Sequence, residues 1–320
     1  MNKWLLFFCI ALCTCCTDKH ADGVPVVGFA DAFQDNTIEQ AKTGFMDALS
    51  KNGFDEKKGT LKVIYRNAQG NIPTLTQIVK YFISQQVTLI ATNPSLSTIT
   101  AVQNSKSIPI FMMVSPTPAL MKINDPAGQP PANLFGVGET LDYIDTSFLL
   151  IPKVVSPKKG PLTVGMIFNQ SEPQSVESME RIRKLAADNK ITLIAQPVNS
   201  TADVQLVTAS LLSKNIDVFF ANPDNVVFGS FETIIQSCNQ KNIPVFTSEA
   251  GLVERGALAA YGADIYKWGY QAGESAAEYL KTKNLNGLHW EMVKDRKKVF
   301  NPSTAKKFGI SIPSDFQPIQ

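Results

Sequence analysis

Histidine is almost missing from this chain, and cysteine is confined to one end of it. Only His20 and His289 occur in 320 residues, too few to build a histidine metal cluster or a histidine acid–base pair, and His289 reads as structural. Of the cysteines, Cys9, Cys13, Cys15 and Cys16 all lie in the leader, which leaves Cys238 alone in the body. No disulfide framework is therefore expected. Cys238 sits in a helical pattern between Ile235 and Ile243, where it reads as a small buried hydrophobe. Charge of one sign is also lacking: the formal net charge is +2. The most basic stretch, Lys294 to Lys298, reads as solvated surface, so nucleic acid is not an expected partner. There is no Walker A loop, no G-x-S-x-G elbow and no zinc-type cysteine spacing, and carboxylates occur without a supporting arrangement. An enzyme is not expected, and no cofactor is implied.

Long apolar runs are absent too. The apolar stretch Trp4 to Leu12 is far short of the roughly 20 residues that cross a bilayer as a helix, but behind Lys3 it suits the core of an export signal. Leu12-Cys13-Thr14-Cys15 resembles a lipobox, with Cys15 the first choice for lipidation and Cys16 the second; an ordinary secretory signal cleaved nearby is the alternative. Residues 1–15 then form the signal peptide with lipobox and 16–23 a polar tether. The folded part would stand in the cell envelope, facing the periplasm or the exterior and held to the membrane by acyl chains.

The body is rich enough in apolar residues, 44% of the whole chain, to bury one large or two medium cores. Short β-branched runs recur at intervals of about 25 to 30 residues with amphipathic segments between them, the βαβ signature of parallel sheets. One series is Val24 to Phe29, Leu61 to Tyr65, Thr88 to Ala91 and Pro109 to Val114; a second is Leu162 to Phe168, Ile191 to Ala195, Asp217 to Phe220 and Pro244 to Thr247. The intervening helices carry stripes such as Ala41, Phe45, Ala48 and Leu49, or Ile182, Leu185 and Ala186. The expected architecture is α/β: two doubly wound parallel-sheet lobes joined by three crossover segments. The crossings are expected near Asn133 to Gly138, at Gly256 to Gly262 and at Trp290 to Val293. That divides the body into 24–134 plus 258–285 for the first lobe and 135–257 plus 286–320 for the second.

In open α/β sheets ligands bind beyond the carboxyl ends of the strands, which makes five loops candidates. After the first strand, Asn36 with Glu39 fits a capping box, leaving Phe33 and Gln34 free to face a cleft. After the third, Asn93 is a capping candidate with Pro94 at the first helical position, and Ser95 follows at a helix start that could hold a carboxylate. The stretch Asn169 to Ser175, holding Ser171, Glu172 and Ser175, reads either as an anion-binding loop or as plain capping by Ser171. Asp224, with Asn225, could pair with a ligand ammonium or merely cap a helix, and Glu249 is a second acidic partner. An acid and a helix start across one cleft would match a zwitterion, with Phe33 covering an apolar side chain.

Six short motifs in order, Tyr65 to Gly70, Ile108 to Phe111, Asn133 to Val137, Phe168 to Ser175, Pro223 to Asn225 and Arg255 to Gly262, resemble the bacterial ABC-transporter substrate-binding lipoproteins of the tryptophan/tyrosine type. The resemblance spans essentially the whole mature chain. It implies a type I periplasmic-binding-protein fold that encloses its ligand by hinge closure. The implied function is the solute-binding subunit of an ABC importer, taking a small ligand, an amino acid that is aromatic by this likeness, to a membrane permease with its ATPase. A monomer is expected. The resemblance puts Ser171, Glu172 and Ser175 on the carboxylate side of the ligand and Asp224 with Asn225 on the amine side. Two departures bear on the ligand: Ser115-Pro116 where relatives tend to carry Asp-Pro, and Pro173-Gln174 where the loop often reads Ala-Asn. Ser115 is therefore also a candidate. The rival reading is a sensor of the same fold that reports to a membrane receptor or kinase.

Overall fold

The computed structural model describes residues 23–319; the signal peptide, the lipobox with Cys15 and Cys16, and nearly all of the tether lie outside the described residues. Strands and helices alternate from the start. The first half runs β1 (Val26–Asp31), α1 (Asn36–Lys51), β2 (Lys62–Asn67), α2 (Ile72–Ser84), β3 (Leu89–Asn93), α3 (Ser95–Asn104), β4 (Ile110–Pro116) and β5 (Leu134–Glu139). Then come α4 (Tyr143–Phe148), α5 (Ile151–Val154), β6 (Thr163–Asn169), α6 (Pro173–Asp188), β7 (Thr192–Val198), α7 (Val204–Leu212), β8 (Val218–Ala221), α8 (Asn225–Gly229), α9 (Phe231–Gln240) and β9 (Val245–Thr247). The chain ends with α10 (Ala250–Glu254), β10 (Ala259–Ala263), α11 (Ile265–Thr282), β11 (Trp290–Met292), β12 (Arg296–Phe300), α12 (Pro302–Phe308) and β13 (Gln317–Pro318). Each of the eight expected strands forms within two or three residues of its expected place.

Two parallel sheets carry these elements. The first has the order β11-β5-β4-β3-β1-β2 and the second β7-β6-β8-β9, with a small third sheet, β10-β12-β13, beside β9. In β1 every side chain is buried, as a central strand covered on both faces requires, whereas edge strand β2 is mostly exposed. Apolar clusters sandwich each sheet: Phe29, Phe45 and Phe111 on one face of the first and Ile78, Phe82 and Met112 on the other; Phe219, Phe231 and Leu252 against Phe148, Phe220 and Phe246 in the second. Helices α1 and α11 pack so tightly that a β-carbon on Gly44 or Gly269 would meet the facing backbone. Cys238 is fully buried on α9, as expected.

The lobe boundaries need correcting at all three crossings. Residues 135–139 were expected in the second lobe, but β5 pairs with β4, so the chain leaves the first lobe only after Glu139. The segment 258–263 was expected in the first lobe, yet β10 pairs with β12 and lies against β9, and the return comes at Asp264. Trp290 to Val293 was expected to cross; Trp290–Met292 is instead the edge strand beside β5, and the third crossing follows at Lys294 to Arg296. Each of these short strands is apolar enough to join either sheet, and only its hydrogen-bonding partner decides which.

Candidate functional site

The carboxyl ends of both sheets face one another across a cleft of about 60 Å³. Ile38, Ser95, Val114, Ser115, Glu139 and Trp268 line it from the first lobe; Tyr143, Gln174, Asp224, Asn225, Phe228 and Glu249 line it from the second. The two lobes touch. Gln174 Nε2 and Asn225 Nδ2 both donate to Ser95 Oγ, at 3.3 and 3.0 Å. Beside the cleft, Arg255 Nη1 reaches Asp35 Oδ2 at 2.5 Å.

The second lobe organises its amides with one buried acid. Glu172 accepts from Asn169 Nδ2 at 2.8 Å on Oε1, and on Oε2 from Gln174 Nε2 and Asn225 Nδ2, each at 2.7 Å, and from Asn225 N at 3.2 Å. Burial, and then the neighbouring Asp224 carboxylate, push Glu172 up to about 8 despite these donors. Because Glu172 holds the Gln174 amide by its nitrogen, Gln174 Oε1 is left buried without a partner, a bare acceptor on a cleft residue that is 5% exposed. Opposite it, α3 begins without a side-chain cap. Its first N–H groups, those of Ser95 and Leu96, have no acceptor among the described residues, so this helix start offers donors.

A second polar group lies farther along the cleft. Tyr143 Oη donates to Glu249 Oε1 at 2.6 Å, and Ser248 Oγ stands 3.5 Å from the same oxygen. Burial pushes Glu249 up to about 7; burial and then the Glu249 charge raise Tyr143 well above the ordinary phenol range. Glu139 is raised by burial as well, opposed by Arg296, whose guanidinium clasps it at 2.6 and 3.0 Å across the third crossing. The lining also has apolar members: Ile38, Val114, Leu141, Phe228 and Trp268. Val114 holds φ +48° where β4 bulges between Met112 and Ser115, a left-handed conformation that strains a β-branched residue.

Of the eleven expected site residues, Ser95, Ser115, Asp224, Asn225 and Glu249 line the cleft. The other six do not. Phe33 is half-buried between the apolar clusters of the two lobes, and Gln34 is exposed. Asn93 is fully buried; its amide donates to Asp31 Oδ1 and Ile38 O, and Pro94, not Asn93, stands at the N-cap of α3. Ser171 is exposed and caps nothing, since α6 starts at Pro173. Glu172 and Ser175 lie behind the lining. Ser175 Oγ donates to Asp224 at 2.5 Å and also accepts from Asn169 N and Asn222 Nδ2. Asp224, although on the cleft wall, turns its carboxylate inward: it caps α8 through Val226 N and Val227 N and also takes Asn169 N, so no oxygen is spare for an ammonium. The cap of α1 likewise falls one residue early, on Asp35 rather than Asn36.

Sequence reasoning passed over Tyr143, Trp268, Phe228, Glu139 and Gln174 as lining. Gln174 had a signal, as a departure from the related loop; the aromatics read equally well as core.

The comparisons agree with this geometry. The family model "ABC transporter substrate binding protein" matches residues 27–317. A tyrosine-binding protein of Clostridioides difficile (strain R20291) is 29% identical over 280 residues, 88% of this chain and 79% of that protein. The crystal structure of a conserved domain protein from Vibrio cholerae superposes with TM-score 0.82 at 27% identity, over 93% of this chain and 100% of that one. An ABC domain in complex with L-Trp from Streptococcus pneumonia gives the same TM-score, 0.82, at 20% identity over 93% of this chain and 100% of that one, a likeness of fold. The fold is that of the type I periplasmic binding proteins, and the family is one of solute binders rather than enzymes. Two lobes meeting at a cleft with fixed amides and an open helix start fit that match: this chain belongs to the ABC transporter substrate-binding protein family.

Proposed function

We propose that this protein captures an α-amino acid with an aromatic side chain in the cleft between its lobes and hands it to a membrane permease driven by an ATPase, while a lipid on Cys15 holds it at the membrane outside the cytoplasm. The observation that carries the reading is the uncapped start of α3 opposite the partnerless Gln174 Oε1. The first is a donor site for a carboxylate. The second is an acceptor for an ammonium, with the Glu172 carboxyl directly behind it. The α-carbon substituents of one amino acid lie close enough to use both, and its side chain then extends over Ile38, Val114, Phe228 and Trp268. The tyrosine-binding protein, 29% identical to this chain, and the similar structure solved with L-Trp support an aromatic side chain.

A space of about 60 Å³ is far below the roughly 300 Å³ of the smaller ligand pockets, so the lobes must part to admit a ligand. A ligand that bridges both lobes favours closure by its differential affinity for the closed form. A thermal-shift screen of the mature protein against the common amino acids tests the reading. At about 100 times its Kd a true ligand adds about 2.7 kcal/mol to stability. A flat screen would remove the amino-acid reading. Metabolic labelling with a fatty acid, compared between parent and Cys15→Ser, tests the anchor.

A further inference from the structure

We propose that Glu249 is a specificity residue of this cleft: it accepts a hydrogen bond from a donor at the far end of the ligand's side chain, a phenol O–H or an indole N–H, and so selects such side chains over a plain phenyl ring. The inference rests on the aromatic amino-acid reading and deepens it.

Three observations carry it. First, Glu249 is 4% exposed and lines the cleft, yet its hydrogen bonds, from Tyr143 and Ser248, all go to Oε1. Oε2 has no partner among the described residues. That oxygen is left to accept a hydrogen bond from a ligand held in the cleft. Second, the spacing suits the length of an aromatic amino acid. Gln174 follows β6 and Glu249 follows β9, which is two places away in the strand order. Neighbouring strands lie about 4.8 Å apart, so the carboxyl ends of β6 and β9 stand about 10 Å from each other. The first lobe repeats the interval, because Ser95 follows β3 and Glu139 ends β5, again two strands away. Third, the cleft lining also includes Ile38, Val114, Leu141, Phe228 and Trp268, apolar side chains against which a ring can lie.

The charged and titratable groups around Glu249 fit an acceptor role. Tyr143 on α4 spends its proton on Oε1, and Glu139 on β5 is neutralised by Arg296 on β12. None of them can supply a donor to Oε2. A site built to receive a hydrogen bond rejects an analogue lacking the donor far more strongly than an apolar pocket rejects an extra hydroxyl.

Calorimetric titration of the mature protein with L-tyrosine, L-phenylalanine and O-methyl-L-tyrosine tests this without any mutation. Tyrosine should bind at least tenfold tighter than either analogue. The double variant Tyr143→Phe/Glu249→Leu removes acceptor and anchor together and leaves an apolar floor, and in it the preference for tyrosine over phenylalanine should vanish or invert. Equal affinity for tyrosine and phenylalanine in the parent overturns the inference but leaves the aromatic amino-acid reading standing. A folded double variant that loses both ligands alike overturns it too, and moves Glu249 to the ammonium common to both. A parent that binds no aromatic amino acid overturns the underlying reading along with it.

Discussion

Replacing Gly251 by alanine should hold the two lobes apart. Gly251 lies in α10 of the second lobe and faces Thr37 at the start of α1 in the first, where Thr37 Oγ1 donates to Gly251 O at 3.4 Å. A β-carbon on Gly251 would land on Thr37 Cγ2, 3.1 Å from Thr37 Cβ and 3.3 Å from its hydroxyl. Thr37 has little room to give way, being buried beside Ile38, which is inserted among the apolar residues of the second lobe. One overpacked methyl group costs about 1–3 kcal/mol. The strain exists only while the lobes meet, so it is subtracted from closure and appears as about 5- to 150-fold weaker ligand binding. The open protein should not suffer, because alanine favours a helix over glycine by about 1 kcal/mol. Isothermal titration with the ligand found by screening, beside thermal unfolding of the ligand-free protein, reads the two effects separately. Thr37→Ser removes Cγ2 and should restore most of the affinity to G251A. Unchanged binding in G251A, or no recovery in the double variant, would refute the wedge.

Asp224→Ala should act on folding more than on ligand contact. It removes the α8 cap, takes the acceptor of the Ser175 hydroxyl and leaves the N–H of Asn169 with Ser175 Oγ alone, a loss of about 2 kcal/mol or more in urea unfolding; a variant as stable as the parent contradicts the inward placement. Glu249, raised from 4.5 to about 7 by burial, contributes stability that is complete below about pH 4.5 and lost as pH rises through 7. The loss is at most about 3 kcal/mol. In a melting-temperature series of the ligand-free protein from pH 5 to 8, Glu249→Gln should therefore flatten the decline seen in the parent, and parallel curves would contradict it.

How much of this was legible in the chain depends on the range of the forces involved. The alternation of β-branched runs with stripes such as Ala41, Phe45, Ala48 and Leu49 is a local property, so the eight main strands, helices α1 and α6 and the two-lobed α/β class follow from periodicity alone. Placement at strand ends brought Ser95, Ser115, Asn225 and Glu249 to the cleft in the same way. Side-chain direction does not follow from local pattern. Asp224 and Ser175 turn inward because Asn169 and Asn222 are there to meet them, and Gln174 keeps its oxygen without a partner because Glu172 takes its nitrogen. Strand pairing is equally non-local, which is why β5, β10 and β11 fell on the wrong side of the expected boundaries. The acid that we assign to specificity depends on a tyrosine 106 residues away in sequence. Short-range periodicity therefore determined which segments fold and in what order, whereas the direction in which each polar group points was decided by partners that only the tertiary structure brings within hydrogen-bonding distance.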